Sequence, residues 1–459
     1  MNHSNAGNRL DRLPIASFHK FILFAVSFAY FFEFADTNTF AVVAPQLIRT
    51  WGITLDTVAY ITSISFLGMF LGSIIGGQLA DKLGRRKALI LSVSFFSVFS
   101  LLNAAAWDPL SLGLFRFLTG MGLAAMTIVT NTYIAEMFPA SLRGKYQALA
   151  IMFGIMGTPV TTWIARFVIP IDFWTWRVVF LWGSIGMLFL FFIPRLKESP
   201  RWLESLGQFD RADAILTSIE AEVGNEKGAL AEPEPFKQAP KIHKVPFLEL
   251  FTGKYLRRTL VLTVVWVTQT VGFFGYSSWA PTLLAQQGFN IESSLTYVAL
   301  STLGAPLGSY VASLISDRAE RKWTLTIAGV LIAASGLLYG MTFQPALIVI
   351  FGLCVNLFER TYTSLAYAYS PELFPAEARA TGTSVPYGIG RLSNIAGPLI
   401  ISQLFTSTGY QSVFMFIAGT WLLGSITLGV FGSATRKRNM DALGEPPARA
   451  TEVDVLTAA

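Results

Sequence analysis

Apolar residues in this chain come in long blocks, and many blocks exceed the ~20 residues needed to cross a bilayer. Twelve can be marked, at about 19–48, 57–80, 88–107, 109–135, 146–169, 175–194, 258–284, 293–316, 323–342, 345–370, 383–407 and 409–433. The pattern predicts an all-α membrane protein with twelve transmembrane helices, here called spans 1 to 12. The connections alternate in chemistry. One set carries Lys82, Arg85, Arg86 and Lys87, then Arg143 and Lys145, then Arg318, Arg321 and Lys322, then Arg379. The other set is short and, Arg49 apart, nearly free of Lys and Arg. The positive-inside rule puts the basic set in the cytoplasm, and an even number of spans puts both termini there.

The polar gaps divide the chain into a cytoplasmic N-terminal tail 1–18, a six-span bundle 19–194, a cytoplasmic linker 195–257, a second bundle 258–433 and a disordered cytoplasmic tail 434–459. Within the linker, 208–223 reads as an amphipathic helix. Residues 226–244, with Pro233, Pro235 and Pro240 among charges, read as a flexible connection.

Composition agrees with the blocks. Charged residues make up 14% of the chain, against about 25% in soluble domains. The net charge of +6 sits in loops on one side, so it does not point to nucleic acid. The single cysteine, Cys354, excludes an intrachain disulfide and a multi-cysteine metal site. His3, His19 and His243 fall outside the expected membrane core, which leaves carboxylates to carry any proton there. About 18 mostly polar residues precede a span too long for a signal peptide, so no cleavable signal is expected.

The candidate chemistry is the set of charges deep in the spans. Glu33 and Asp36 lie three residues apart in span 1, so they share a helical face and need a partner or water. Arg116 lies in span 4, Glu359 and Arg360 in span 10, and Arg391 in span 11. A rise of 1.5 Å per residue puts Asp36 about 13 Å and Arg116 about 10 Å inside the outer boundary, so the two can meet. Arg391 falls about 13 Å from the inner end of its span. Three acids face three guanidinium groups. If Asp36 takes Arg116 and Glu359 takes one other arginine, the last remains with Glu33 and is free to hold a carboxylate bidentately. Arg391 bridging only to Glu359 is the alternative. Glu359 and Arg360 diverge by about 100°, so both cannot point squarely into one chamber. Gln269, Trp266, Phe273 and Tyr276 on span 7 are candidate lining residues, with Asn356 and Tyr387 beside them. All these groups are expected to turn toward one chamber between the two bundles.

The halves repeat. Asp81-Lys-Leu-Gly-Arg85-Arg86 follows span 2, and Asp317-Arg-Ala-Glu-Arg321-Lys322 follows span 8. Glu136-Met-Phe-Pro139-Ala-Ser-Leu-Arg143 follows span 4, and Glu372-Leu-Phe-Pro375-Ala-Glu-Ala-Arg379 follows span 10. Each second copy lies 236 positions after the first (317 less 81, 372 less 136). Parallel six-span halves are a transporter architecture with substrate held between them near mid-membrane.

On these residues the chain resembles the major facilitator superfamily along nearly its whole length. Gly77-Gln-Leu-Ala-Asp81-Lys-Leu-Gly84-Arg85-Arg86-Lys87 is similar to that family's loop 2–3 signature. Arg116-Phe-Leu-Thr-Gly120-Met-Gly122 resembles its fourth-helix arginine motif. Glu198-Ser-Pro-Arg201-Trp-Leu203 resembles the motif that follows helix 6 in sugar porters and organic-ion transporters, with Lys197 replacing its first proline. Glu33-Phe-Ala-Asp36, Tyr367-Ala-Tyr369-Ser-Pro371-Glu372 and Gly390-Arg391 look most like the aromatic-acid:proton symporter and nicotinate transporter branch, whose first helix carries two aspartates. The resemblance implies an Asp36–Arg116 pair with a proton-coupling role for Asp36 and Glu33. It also implies a cytoplasmic gate at Asp81, Arg85, Arg86, Glu136, Arg143, Glu198 and Arg201, repeated by Asp317, Arg321, Glu372 and Arg379.

The expected function is proton-coupled symport of a small aromatic or heteroaromatic carboxylate by alternating access. A sugar or an organic cation is the alternative within the same fold, and a membrane sensor without flux is the alternative from another class. No nucleotide loop, metal cluster or nucleophile constellation stands out, so neither an enzyme nor a cofactor is expected. The expected partners are a small substrate, protons and the lipid bilayer, and the expected state is a monomer in the plasma membrane, the inner membrane if bacterial.

Overall fold

The computed structural model describes residues 6–233, 247–315 and 318–435. Every regular element among them is a helix. Eleven helices among the described residues are long and apolar enough to cross a membrane, from Ser17–Trp51 to Tyr410–Phe431. The remaining segment, span 11, is broken into Ala376–Ser393 and Gly397–Thr408. Breaks also fall after Ile155 in span 5, after Ser277 in span 7 and after Thr302 in span 8. Each precedes a proline, at Pro159, Pro281, Pro306 and Pro398. Proline lacks the amide hydrogen that the ladder needs and disfavours helical geometry in the residue before it.

Within each half the spans approach closely on glycine. A Cβ on Gly68 or Gly72 of span 2 would sit 2.1 or 2.0 Å from the Phe117 or Met121 carbonyl oxygen of span 4. In the second half, a Cβ on Gly304 or Gly308 of span 8 would sit 2.3 or 2.1 Å from the Leu353 or Leu357 carbonyl oxygen of span 10. Small residues four apart admit this backbone contact in a setting where lipid supplies no hydrophobic drive. Large apolar side chains such as Leu110, Phe191 and Ile426 point outward, as expected of surfaces facing acyl chains.

The halves touch mainly at the end opposite the repeated motifs. There Arg166 of span 5 pairs with Glu292 of span 8 at 2.6 Å and donates to Thr296. Ser402 of span 11 donates to Asp56, at the start of span 2, at 2.7 Å. Phe66 of span 2 meets Phe274 of span 7 edge-on, 4.8 Å between ring centres. At the motif end the Arg85–Asp81, Arg85–Glu136 and Arg321–Glu372 ion pairs each stay within one half. Tyr367, about half exposed, looks onto the space left between the halves.

From Ala6 on, the N-terminal stretch read as a tail packs on the first half. Ala6–Asp11 is a short helix that lies against the linker helix Phe209–Lys227. Arg9 donates to Glu220 at 2.6 and 2.9 Å, to Thr217 and to Asp213. Arg12 donates to Glu220 and to the Ala231 carbonyl. Asp11 accepts from Arg201 at 2.8 Å and from the Ala140 amide. Most of the stretch read as a flexible connection, and the C-terminal tail from 436, lie outside the described residues.

Candidate functional site

Asp36 has no exposed surface. Arg116 Nη1 donates to its Oδ1 at 2.8 Å and to Thr39 Oγ1 at 3.2 Å. Ser100 of span 3 donates to Asp36 Oδ2. On the same side, a Cβ on Gly183 of span 6 would come within 2.5 Å of that oxygen. Asp36 therefore points into the core of the first bundle, between spans 3, 4 and 6, and not toward a chamber shared with the second bundle. This corrects the expectation that all the deep charges share one chamber. Residues three apart on a helix differ by about 60°, enough to turn Asp36 inward while Glu33 faces out. Arg116 bridges the two environments. It binds Asp36 behind it and lines a cavity with Thr37, Phe40, Ser65, Phe66 and Phe274, and its Nε makes no hydrogen bond among the described residues.

Glu33 is buried and its Oε2 has no hydrogen-bond partner among the described residues. It faces Thr127 of span 4 and lies within electrostatic reach of Arg391 of span 11. Arg391 donates through Nε to the Tyr387 hydroxyl at 2.8 Å and lies over that ring. It makes no ion pair among the described residues, so bridging to Glu359 does not occur here.

Glu359 bonds within its own half through one oxygen, and its buried Oε2 makes no hydrogen bond among the described residues. Its Oε1 accepts from Thr363 at 2.6 Å and from Gln269 at 3.3 Å. Arg360 stands 3.7 Å from Glu359. Its guanidinium lies over Phe34 of the first half and Phe273 of the second, 5.9 and 5.4 Å from the ring centres. The two neighbours thus diverge as helical geometry requires, the acid toward span 7 and the base toward the inter-half space. Trp266 donates to Ser370 at 3.1 Å and meets the edges of Tyr367 and Tyr387. Two candidates belong elsewhere. Tyr276 packs against Tyr339 at 5.2 Å, with Ser301 and Gly352 nearby, inside the second bundle. Asn356 donates to Gly352 of its own helix and packs on span 8 at Gly304.

The motif-end charges form the same pair twice. Arg85 binds Glu136 at 2.7 Å and Asp81 at 3.1 Å, and Arg321 binds Glu372 at 2.5 Å. Both partners recur 236 positions later. Arg86 presents its backbone amide to the Glu198 carboxylate at 3.0 Å, which places an anion at the start of span 3. Gly84 makes this possible. It has φ +92°, and a Cβ there would meet Glu198 at 2.4 Å and Trp202 at 2.8 Å. Arg379 donates to the Phe374 carbonyl, and Arg143 opens span 5 without an ion pair among the described residues. Asp317 lies outside the described residues. Sequence reasoning did not single out Ser100, Gly183, Thr127, Thr363 or Tyr367 as site residues. A lone hydroxyl or glycine in an apolar run carries no mark of what it faces.

Two six-span halves with buried charges around the space between them define a membrane transporter. The description "Sugar (and other) transporter" matches residues 15–445, and the chain belongs to that family, within the major facilitator superfamily. It is 49% identical over 442 residues to YyaJ of Bacillus subtilis (strain 168), described as a metabolite transport protein, covering 95% of this chain and 97% of that one. It is 29% identical over 439 residues to the niacin transporter NiaP of Acinetobacter baylyi (strain ATCC 33305 / BD413 / ADP1), covering 95% and 99%. In fold it is similar to a partially occluded inward-open form of the xylose transporter XylE from E. coli, with a TM-score of 0.75, 16% identity, and 92% and 100% of the two chains covered. Its relatives are transporters, and it is not an enzyme.

Proposed function

We propose that the chain is a proton-coupled symporter of a small aromatic or heteroaromatic carboxylate, working by alternating access. The observation that carries this reading is Arg391, a guanidinium at the inter-half space with a tyrosine hydroxyl as its partner and no ion pair among the described residues. A carboxylate held bidentately completes its donors. Tyr387, Tyr367 and Trp266 supply ring faces and edges for an aromatic body. A neutral sugar offers no charge to the donors that Arg391 does not spend on Tyr387, and an organic cation would repel it. The Acinetobacter relative is named for niacin, a ring that carries one carboxylic acid and so belongs to the same ligand class.

The proton step falls to the acids of span 1. Arg116 holds Asp36 in the resting pair. Substrate in the cavity draws the guanidinium forward, and the departure and return of that counter-charge couple Asp36 to the proton. Glu33, opposite Arg391, is the second carrier, protonated when the arriving substrate takes its place. The basic loops face the cytoplasm. There the duplicated pairs brace each half while the chamber is open, and their charges meet across the halves when it closes.

The test is Arg391→Ala. Binding of benzoate or nicotinate to the purified transporter, read by thermal shift, should weaken ~10–100-fold, the worth of a charge-assisted hydrogen-bonded contact. Binding at wild-type strength would remove Arg391 from the site and the carboxylate with it. Uptake into proteoliposomes should also follow an imposed pH gradient, and uptake indifferent to it would end the proton-coupled reading.

A further inference from the structure

One helical turn toward the motif end from Glu33 and Arg391 lies a second polar layer with no role so far. On the first half, Tyr30 of span 1, Asn131 of span 4 and Gln147 of span 5 form a closed triangle. The Tyr30 hydroxyl donates to Asn131 Oδ1. Gln147 Nε2 donates to the Tyr30 hydroxyl at 2.9 Å and also to Asn131 Oδ1. On the second half, at the same level below Arg391, stand the Tyr387 and Tyr367 hydroxyls, 3.1 Å apart. Tyr30 stands three residues before Glu33 on span 1, within about 60° of it around the helix.

The triangle uses only part of what its amides offer. An amide side chain brings two donor hydrogens and one acceptor oxygen. Asn131 spends its oxygen and Gln147 its nitrogen, while Asn131 Nδ2 and Gln147 Oε1 make no hydrogen bond among the described residues. Both residues are partly exposed, whereas Tyr30 is buried. The tyrosine thus holds the two amides, and one donor and one acceptor are left over. A turn of helix separates this layer from the Arg391 layer by about 5 Å, a depth that one aromatic ring fills.

We propose that Asn131 and Gln147 are specificity-determining residues that read a ring substituent able both to donate and to accept a hydrogen bond, a hydroxyl or a primary amide, at the end of the substrate remote from its carboxylate. The assignment rests on the reading of Arg391 as the carboxylate anchor. Asn131 Nδ2 donates to the substituent's oxygen and Gln147 Oε1 accepts its hydrogen. An acid without the substituent leaves both amide groups facing the ring unpaired, which is how a polar site rejects an analogue.

The experiment compares dissociation constants of benzoate and 4-hydroxybenzoate for the full-length transporter and its variants. Wild type should favour 4-hydroxybenzoate by roughly tenfold, the worth of a pair of neutral hydrogen bonds. Gln147→Leu and Asn131→Leu should each bring the ratio close to one, and Tyr30→Phe, which frees the amides without removing them, should lower it partway. Should a leucine variant fail to fold, Gln147→Asn, a shorter amide, should still lower the ratio. A ratio that survives in all variants, or both acids weakened by equal factors, overturns the proposal and leaves the triangle as packing. The two readings fail separately. If wild type binds benzoate and Arg391→Ala weakens that binding as expected while the ratio ignores Gln147 and Asn131, only the amide assignment falls. If wild type binds neither acid, both fall.

Discussion

The two halves of the molecule are copies in their scaffold and strangers in their chemistry. Gly68 and Gly72 reappear as Gly304 and Gly308 with the same backbone-to-backbone role, and Arg85–Glu136 reappears as Arg321–Glu372. The buried charges do not reappear. At 236 positions after Asp36 and Arg116 stand Gly272 and Gly352, where a Cβ would strike Trp421 at 2.4 Å and Ser301 at 2.2 Å. The first half holds a tight pair at 2.8 Å, backed by Ser100. In the second half, Glu359 leans on a hydroxyl and an amide, its arginine is 3.7 Å away, and Arg391 meets a tyrosine. What packs the helices and braces the loops was kept in both copies, while the interior charges diverged. In the function proposed above, the first half handles the proton and the second the anion.

The sharpest way to break this comparison is to remove one charge from each half. Arg116→Leu strands Asp36 without a counter-charge in a site with no exposed surface. Breaking a buried pair from one side costs about 3–5 kcal/mol, so the variant should unfold at markedly lower temperature in detergent. Arg391→Ala breaks no ion pair among the described residues and should leave unfolding nearly where it was, even as it loses ligand. Equal losses of stability in the two variants would mean that Arg391 is structural. Asp36→Asn keeps the shape and removes the charge, and it should lose uptake driven by a pH gradient.

A smaller asymmetry sits in the loops. Gly84 precedes span 3 with φ +92°, pressed on Glu198 and Trp202. Its counterpart 236 positions on is Glu320, with an ordinary φ of −69°. Gly84→Ala should therefore cost about 1–3 kcal/mol from backbone strain, with further loss from displacing Glu198, whereas position 320 has no backbone reason to resist alanine. Thermal unfolding of the two alanine variants measures the difference, and equal behaviour would mean that the close approach at Gly84 relaxes freely.

Much of the fold was legible because span length, loop charge and the repeat are each one-dimensional signals. The depths of Asp36 and Arg116 were legible for the same reason, since helical rise converts position into height. Direction around the helix was not. Glu33 and Asp36 read as one face, yet 60° sends one acid between the halves and the other into a bundle. Tyr276 and Asn356 were misread because aromatic and amide residues at helical spacing look alike whether they pack or line a cavity. The motif charges were recognised, but whether they pair within or across halves depends on which end of the molecule is open. The N-terminal stretch looked like a tail because its partners, Glu220 and Asp213, lie some two hundred residues away in sequence.

That stretch supplies the finest contrast, since the docked helix braces the first half. Burial pushes the Glu220 carboxyl up, but hydrogen bonds from Arg9 and Arg12 outweigh it, and the group ends below the usual carboxylate range. Arg9 is held more firmly charged by the same contact, its hydrogen bond with Glu220 outweighing burial. A carboxylate depressed on folding contributes stability above its unfolded value and loses it as pH falls through the folded one. Docking of Ala6–Asp11 should thus persist through neutral and mildly acidic pH and loosen only below the ordinary carboxylate range. Amide exchange of residues 6–16, corrected for intrinsic rates, measures this directly. Glu220→Gln should already show reduced protection at neutral pH and little further change on acidification, while the motif loops of the second half should show neither effect. The shift is modest because the contact is partly solvated and solvent screens it. If wild type and Glu220→Gln titrate alike, the arginines hold the helix through Asp213 and Thr217, and the carboxylate at 220 is incidental.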